Sequence, residues 1–324
     1  MGVTPDDRDL LGAYALDALD PDEVVMVEAL LERDPDAARE VQRLRGAASW
    51  IAATEALAPP RDLRTHLFER ATVVPPELRA YRRAVARHES LLDSISEDDL
   101  GTGTTNGLSV GDLIVHLAAM ESAVAETIGL PSTVSDATEV VARTEAYVAA
   151  YGNDPLGAGR HTWRDATAAL EAWALQDDGR ARLPWNGFDV GRRTALASRA
   201  FELWTHDDDV RVALGRAPEV PTESELSLMS DIAVGILPAC VAVTSGSHAA
   251  AARIVLTGPG GGDWTLSFDG RRHDDVVVTV TMDAVTYCRL VAERVTPDDC
   301  GAIVDGDLEL GRRILESASA LATL

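Results

Sequence analysis

The apolar residues of this chain change their period once, and late. As far as residue 236 they recur at helical spacing, three and four apart; from residue 251 they gather in short β-rich runs, ARIVLTG, DWTLSFDG and DVVVTVTM, joined by glycine turns. Two helical stretches, DAVTYCRLVAER and LELGRRILESASAL, follow in the same segment, and no internal repeat is visible. The switch predicts a multidomain, mainly α protein ending in a small α+β domain, and 324 residues are enough for two or three cores. A proline break, TVVPPEL, divides the helical part near residue 72. The expected domains are 1–72, a small helical unit; 76–236, a bundle of four to five long helices; and 237–324, the α+β unit.

Start signals mark the helices. In Asp20-Pro21-Asp22-Glu23 an N-cap, a first-turn proline and a glutamate three residues on stand in order, and Asp34-Pro35-Asp36 repeats the device. A further helical segment is expected over ALAPPRDLRTHLFERA. Ser109 is read as the N-cap of SVGDLIVHLAAMESAVAETIG, a helix is expected near 133–151, and Thr222 with Glu225 reads as a capping box for a helix to about 236. SEDDLGTGTTNGL and LPWNGFDVG are read as loops.

Charge narrows the function classes. With 53 acidic against 29 basic side chains the net charge is -24, which repels phosphate backbones and anionic membranes, so no direct nucleic-acid or membrane partner is expected. No apolar run is read as long enough for a transmembrane helix, and the acidic N-terminus does not resemble a secretory signal. Lysine is absent, which suggests a GC-rich genome. The three cysteines, Cys240, Cys288 and Cys300, form no C-x2-C pair, so a reducing cytoplasm fits best.

The stretch FELWTHDDDVRVALG places Glu202 and His206 four apart, on one face of an apolar helix. His116 lies among apolar residues in DLIVHLAAMES, on a different helix of the same segment. Two imidazoles and a carboxylate from facing helices suit zinc, and three protein ligands leave a position open for water or substrate. The competing readings are a solvated surface pair for Glu202 and His206 and a satisfied core histidine for His116. Asp209, three residues beyond His206, is placed to orient a ligand, while Asp207 and Asp208 are read as solvated.

These residues carry a family resemblance. GLSVGDLIVHLAAMES followed by RAFELWTHDDDVRVALGR resembles the metal-binding domain of the mycothiol-dependent maleylpyruvate isomerases, DinB-like four-helix bundles with motifs of the form W-x-V-x-D-x-x-x-H and E-x3-H-x2-D. The resemblance implies a divalent metal on His116, Glu202 and His206, with Asp209 at the motif aspartate; Leu108 stands where the family usually has tryptophan. DVVVTVTMDAVTYCRLVAERVTPDDCGAIVDGDLELGRRIL resembles the family's sterol-carrier-like C-terminal domain, from which an arginine reaches the active site. Arg294 is the match for that catalytic arginine, with Arg289 as second choice; an ordinary helix-surface arginine is the competing reading of each. DLLGAYALDALDPDEVVMVEALLERDPDAAREVQRLRGAASWIA resembles the sigma-binding domain of anti-sigma factors, without the H-x3-C-x2-C zinc motif that many of them carry.

The resemblance implies an isomerase or thiol transferase that uses mycothiol as cosubstrate, acts on a small electrophilic or carboxylate substrate, and has a possible sigma-factor partner through residues 1–72. The alternative is an anti-sigma factor whose bundle serves as a non-catalytic sensor. Other features are discounted. GPGGGD lacks the Lys-Ser/Thr ending of a phosphate loop and reads as a hairpin loop. His66, His88, His161, His248 and His273 lack ligand-spaced companions and are assigned surface or capping roles. Cys240 and Cys288 read as inert core thiols, leaving Cys300 as the candidate reactive one.

Overall fold

A computed structural model describes residues 10–16, 18–31, 33–55, 74–131, 134–135, 137–177, 179–185, 188–246, 248–271, 273 and 275–319. The helix expected over ALAPPRDLRTHLFERA and His66 lie outside the described residues. The chain divides into two compact units, Met1–Val73 and Val74–Leu324.

In the first unit three helices, α1 (Leu11–Ala15), α2 (Pro21–Leu31) and α3 (Pro35–Glu55), close over a small core of Leu11, Ala15, Val27, Leu30, Ala37 and Val41. The start signals act as their chemistry dictates. Glu23 accepts from the Asp20 amide at 3.1 Å, and Asp34 accepts from the amides of Asp36 and Ala37 at 2.9 and 3.2 Å, so donors that have no partner within the helix are satisfied.

The second unit opens with α4 (Pro76–Leu92), α5 (Val110–Thr127), α6 (Val140–Tyr151) and α7 (Arg160–Gln176). A two-stranded hairpin, β1 (Arg182–Trp185) and β2 (Phe188–Gly191), leads into α8 (Arg192–Ala213). Helices α4, α5, α7 and α8 pack as a bundle with α6 against α5, and Leu78, Tyr81, Leu117, Trp163, Leu170, Leu196 and Leu203 fill its core. Ser109 caps α5 as expected, accepting from the Asp112 amide at 3.1 Å. Two segments read as loops carry more structure: SEDDLGTGTTNGL holds a 3-10 turn over Glu97–Asp99, and LPWNGFDVG forms the β1–β2 hairpin. The helix expected from residue 133 begins at Val140.

The capping box of Thr222 and Glu225 starts α9 (Glu223–Ser245), which runs past residue 236 to the end of its 23 residues. The 236/237 boundary therefore falls inside a helix. Leu226 and Met229 belong to the bundle core, whereas Ala233, Val234, Leu237 and Val241 pack under the sheet. This double role makes α9 apolar enough, with a mean hydropathy of 2.0 over an 18-residue window, to reach transmembrane length, which corrects the expectation; half of that window is buried in the fold.

The sheet contains β3 (Ala251–Thr257), β4 (Gly262–Ser267), β5 (Val276–Asp283) and β6 (Ile303–Gly306), in the order β4-β3-β5-β6 with β3 and β5 parallel. Helices α10 (Ala284–Val291) and α11 (Leu308–Ser319) join α9 over its apolar face. The GPGGGD stretch is the β3–β4 hairpin loop. At its tip Gly260 takes φ +79 and lies so close to Leu226 that an added Cβ would come 2.3 Å from the leucine Cβ, so only glycine lets the hairpin meet α9.

Candidate metal centre

The helical spacing of Glu202 and His206 projects both side chains from α8 toward α5, where His116 faces them. One donor atom from each of the three residues lies within 4.8 Å of the others. His116 Nε2 is 3.7 Å from Glu202 Oε1, and the two imidazole rings stand nearly perpendicular with centroids 5.2 Å apart. The three side chains are 12–22 % exposed.

Hydrogen bonding presets both imidazoles as ligands. The Thr144 hydroxyl donates to the Val140 carbonyl at 2.8 Å, so toward His116 Nδ1, also at 2.8 Å, it acts as acceptor. His116 is therefore protonated on Nδ1 and presents a bare Nε2. Asp209 Oδ2, an acceptor only, lies 3.0 Å from His206 Nδ1 and favours the same tautomer there over the longer contact of Arg294 Nη2, a donor 3.4 Å from that nitrogen. Burial, with the neighbouring His206 adding to it, pushes the His116 pKa down to about 4, so the ring is neutral at pH 7. Burial pushes Glu202 upward, but the Arg199 charge and then the two histidines outweigh it and hold the carboxyl below its usual range. Two imidazole nitrogens and one carboxylate, mutually within reach, are a donor set that fits a divalent ion of the zinc class.

Asp209 also binds the C-terminal part of the unit. Arg294 grips it with two hydrogen bonds, Nε to Oδ1 at 2.8 Å and Nη2 to Oδ2, while Nη1 donates to the Ala292 carbonyl. The arginine singled out in the sequence does reach the site, but its guanidinium is engaged by Asp209. Arg289 stands farther off, 3.4 Å from Asp208. Asp208, Asp209, Arg289 and Arg294 line a cavity of about 520 Å³ together with Asn106, Trp204, Thr205 and Glu293; it adjoins the candidate ligands through Asp209 without being lined by them. Glu293 has φ +58, the left-handed conformation that reverses the chain after α10 and aims Arg294 back at α8.

Several residues depart from their expected roles. Asp207 and Asp208 are not solvated: Asp207 is buried and holds His88 Nδ1 at 2.6 Å, and Asp208 accepts the Glu219 amide at 2.8 Å. His88 is thus a buried residue, edge-on to Trp163 with ring centroids 4.6 Å apart. Cys300 is buried and its thiol donates to the Pro297 carbonyl, so it is no accessible nucleophile. Burial pushes the Cys240 thiol up to about 11 and the Cys288 thiol up to about 12, in keeping with inert core cysteines.

Sequence reasoning missed a set of buried partners beneath Glu202. Arg199 donates to Glu202 Oε2 through Nη1 and to Glu121 Oε2 through Nε at 3.1 Å, and Tyr81 donates its phenol to Glu121 Oε1. Only the i, i+3 spacing of Arg199 and Glu202 was visible locally; Tyr81 and Glu121 come from α4 and α5.

Two solved structures match the chain at 18% identity. One is the crystal structure of the mycothiol-dependent maleylpyruvate isomerase, with a TM-score of 0.47 over 68% of this chain and 90% of that one. The other is the crystal structure of a histidine-to-alanine mutant of such an isomerase, with a TM-score of 0.48 over 72% and 95%. No curated protein matches. The model of the mycothiol maleylpyruvate isomerase N-terminal domain family matches residues 81–211, a stretch that holds His116, Glu202, His206 and Asp209. Residues 81–211 of this chain are therefore similar to the mycothiol maleylpyruvate isomerase N-terminal domain.

Proposed function

We propose that the chain is a metal-dependent isomerase or S-transferase that uses mycothiol as its thiol cosubstrate. The observation that carries this reading is the convergence of His116, Glu202 and His206, each imidazole biased toward the tautomer that offers Nε2. A bound zinc-class ion supplies a Lewis acid that favours the deprotonated form of a thiol. The chain's own residues do the rest. Thr144 and Asp209 hold the imidazoles, the cavity beside Asp209 receives the electrophile, and Trp204 and Thr205 form part of its wall. A substrate carboxylate entering this cavity competes with Asp209 for Arg294, a charge-assisted contact worth about 1.5–3 kcal/mol. Whether the thiol leaves again, as in an isomerase, or stays attached, as in a transferase, depends on the electrophile.

The test is metal content of untagged protein purified without chelators, followed by turnover of maleylpyruvate with and without mycothiol. We expect about one zinc-class ion per chain, lost in His206→Ala, and turnover that requires the thiol. Metal-free wild-type protein overturns the reading.

A second reading, an anti-sigma factor with the bundle as sensor, is favoured by one observation. Unit Met1–Val73 builds its own core yet leaves Leu16, Val25 and Met26 more than half exposed, as a partner-binding helical unit does. Co-purification of a sigma factor that is lost on deleting residues 1–72 supports it; thiol-dependent turnover with no such partner counts against it.

A further inference from the structure

We propose that Arg199 is a positioning residue that makes Glu202 a one-oxygen metal ligand and so keeps the ion's remaining position open. This inference rests on the metal-dependent reading above.

The two oxygens of Glu202 have different surroundings. Oε2 accepts from Arg199 Nη1, whereas Oε1 faces His116 Nε2 at 3.7 Å. A carboxylate whose second oxygen is held by a guanidinium offers an ion its first oxygen more readily than its second. The hold is built to last. Arg199 is fully buried, and its Nε is tied to Glu121, itself fully buried, whose other oxygen takes the Tyr81 phenol. Arg199 is shared between Glu121 and Glu202, so its guanidinium is fixed from both sides.

An unrestrained glutamate binds an ion through one oxygen or two. A second oxygen would occupy the position a thiol or substrate needs, turning an open, catalytic type of site into a closed one. Arg199 holds Glu202 by Oε2 rather than by the Oε1 that faces His116, so the effect proposed for it is exerted through Glu202.

The test uses the full chain loaded with cobalt(II), whose visible absorption weakens as the coordination number rises above four. Three variants are compared with the parent: Arg199→Lys, which keeps a charge but lacks the fork; Tyr81→Phe; and Tyr81→Phe with Glu121→Met and Arg199→Met, which replaces the buried ionic set by apolar side chains, an exchange often neutral for folding. The parent should show the intense four-coordinate spectrum and change it on adding 2-mercaptoethanol. In the triple variant and in Arg199→Lys the spectrum should weaken, and the apparent affinity for the thiol should fall by about 10-fold or more, the usual order for loss of a group that orients a metal ligand. Parent-like spectra and thiol affinity in Arg199→Lys overturn the proposal even if the triple variant does not fold. If the parent binds no cobalt, the metal-dependent reading itself fails, a result distinct from a parent and variants that all bind alike.

Discussion

Arg294 and Asp209 form a two-pronged ion pair across the boundary between the bundle and the α/β layers. The same carboxylate holds His206 Nδ1 at 3.0 Å. The pair thus links a residue that follows α10 to a candidate metal ligand on α8. An arginine serving only the substrate would not need to be saturated by a neighbouring aspartate.

Arg294→Ala is expected to lower metal affinity by about 10-fold, because Asp209 loses its anchor and no longer fixes the His206 ring. Arg294→Lys should restore part of the loss, since a lysine supplies charge but no fork. Competition against a chromophoric chelator measures this; unchanged affinity with a raised KM would assign Arg294 to substrate alone.

Thr144→Val removes the acceptor for His116 Nδ1–H at nearly constant shape. The ring then loses its preference for the ligand tautomer, and metal affinity should drop by roughly 10-fold with little change in fold. Nitrogen NMR of the metal-free protein would report the change directly: one tautomer in the parent, a mixture in the variant.

Glu89 offers a pH test away from the centre. Burial pushes its carboxyl up, but hydrogen bonds from Arg164 and Arg160 prevail and hold it below the ordinary value. A carboxylate depressed in the folded state contributes stability that is present above its unfolded pKa, about 4.3, and is lost as pH falls through the lower folded value. Glu89→Gln should therefore cost about 0.5–1 kcal/mol at pH 7, the pair being partly screened by solvent, and the gap between the two melting curves should close as the pH is taken below 4. A gap that is constant with pH would mean the side chain acts by packing.

Glu293 is the one described non-glycine residue with positive φ. Glu293→Gly should relieve that backbone strain and raise stability by up to about 1 kcal/mol. Thermal unfolding checks the sign; a lower melting temperature would show that the glutamate side chain contributes more than its backbone costs.

The three candidate ligands were legible because an i, i+4 pair on an apolar helix and a histidine among aliphatic residues are local patterns. Their supporting residues were not. Asp207, Asp208 and Asp209 look like a solvated run, yet successive residues on a helix point about 100° apart. Each aspartate met a different partner: His88 on α4, the Glu219 amide, and His206 with Arg294. Glu121 and Arg199 are 78 positions apart and meet only once α5 and α8 pack. The fold shows the same division. Caps fixed the starts of α2, α5 and α9, whereas the length of α9 depended on a second core that no local signal announces.

That helix has a consequence for how the protein can be taken apart. Its first half is a stave of one barrel and its second half, which carries Pro238, the keel of another hull. Cutting the chain at residue 236 would strip a wall from each, so neither piece should survive alone, and a graft of one portion onto a foreign partner must carry the whole of Glu223–Ser245. The cavity at Asp209 and Arg294 lies between these two parts. Its two sides are joined through a common beam, so whatever widens or narrows it must also bend or repack that one helix.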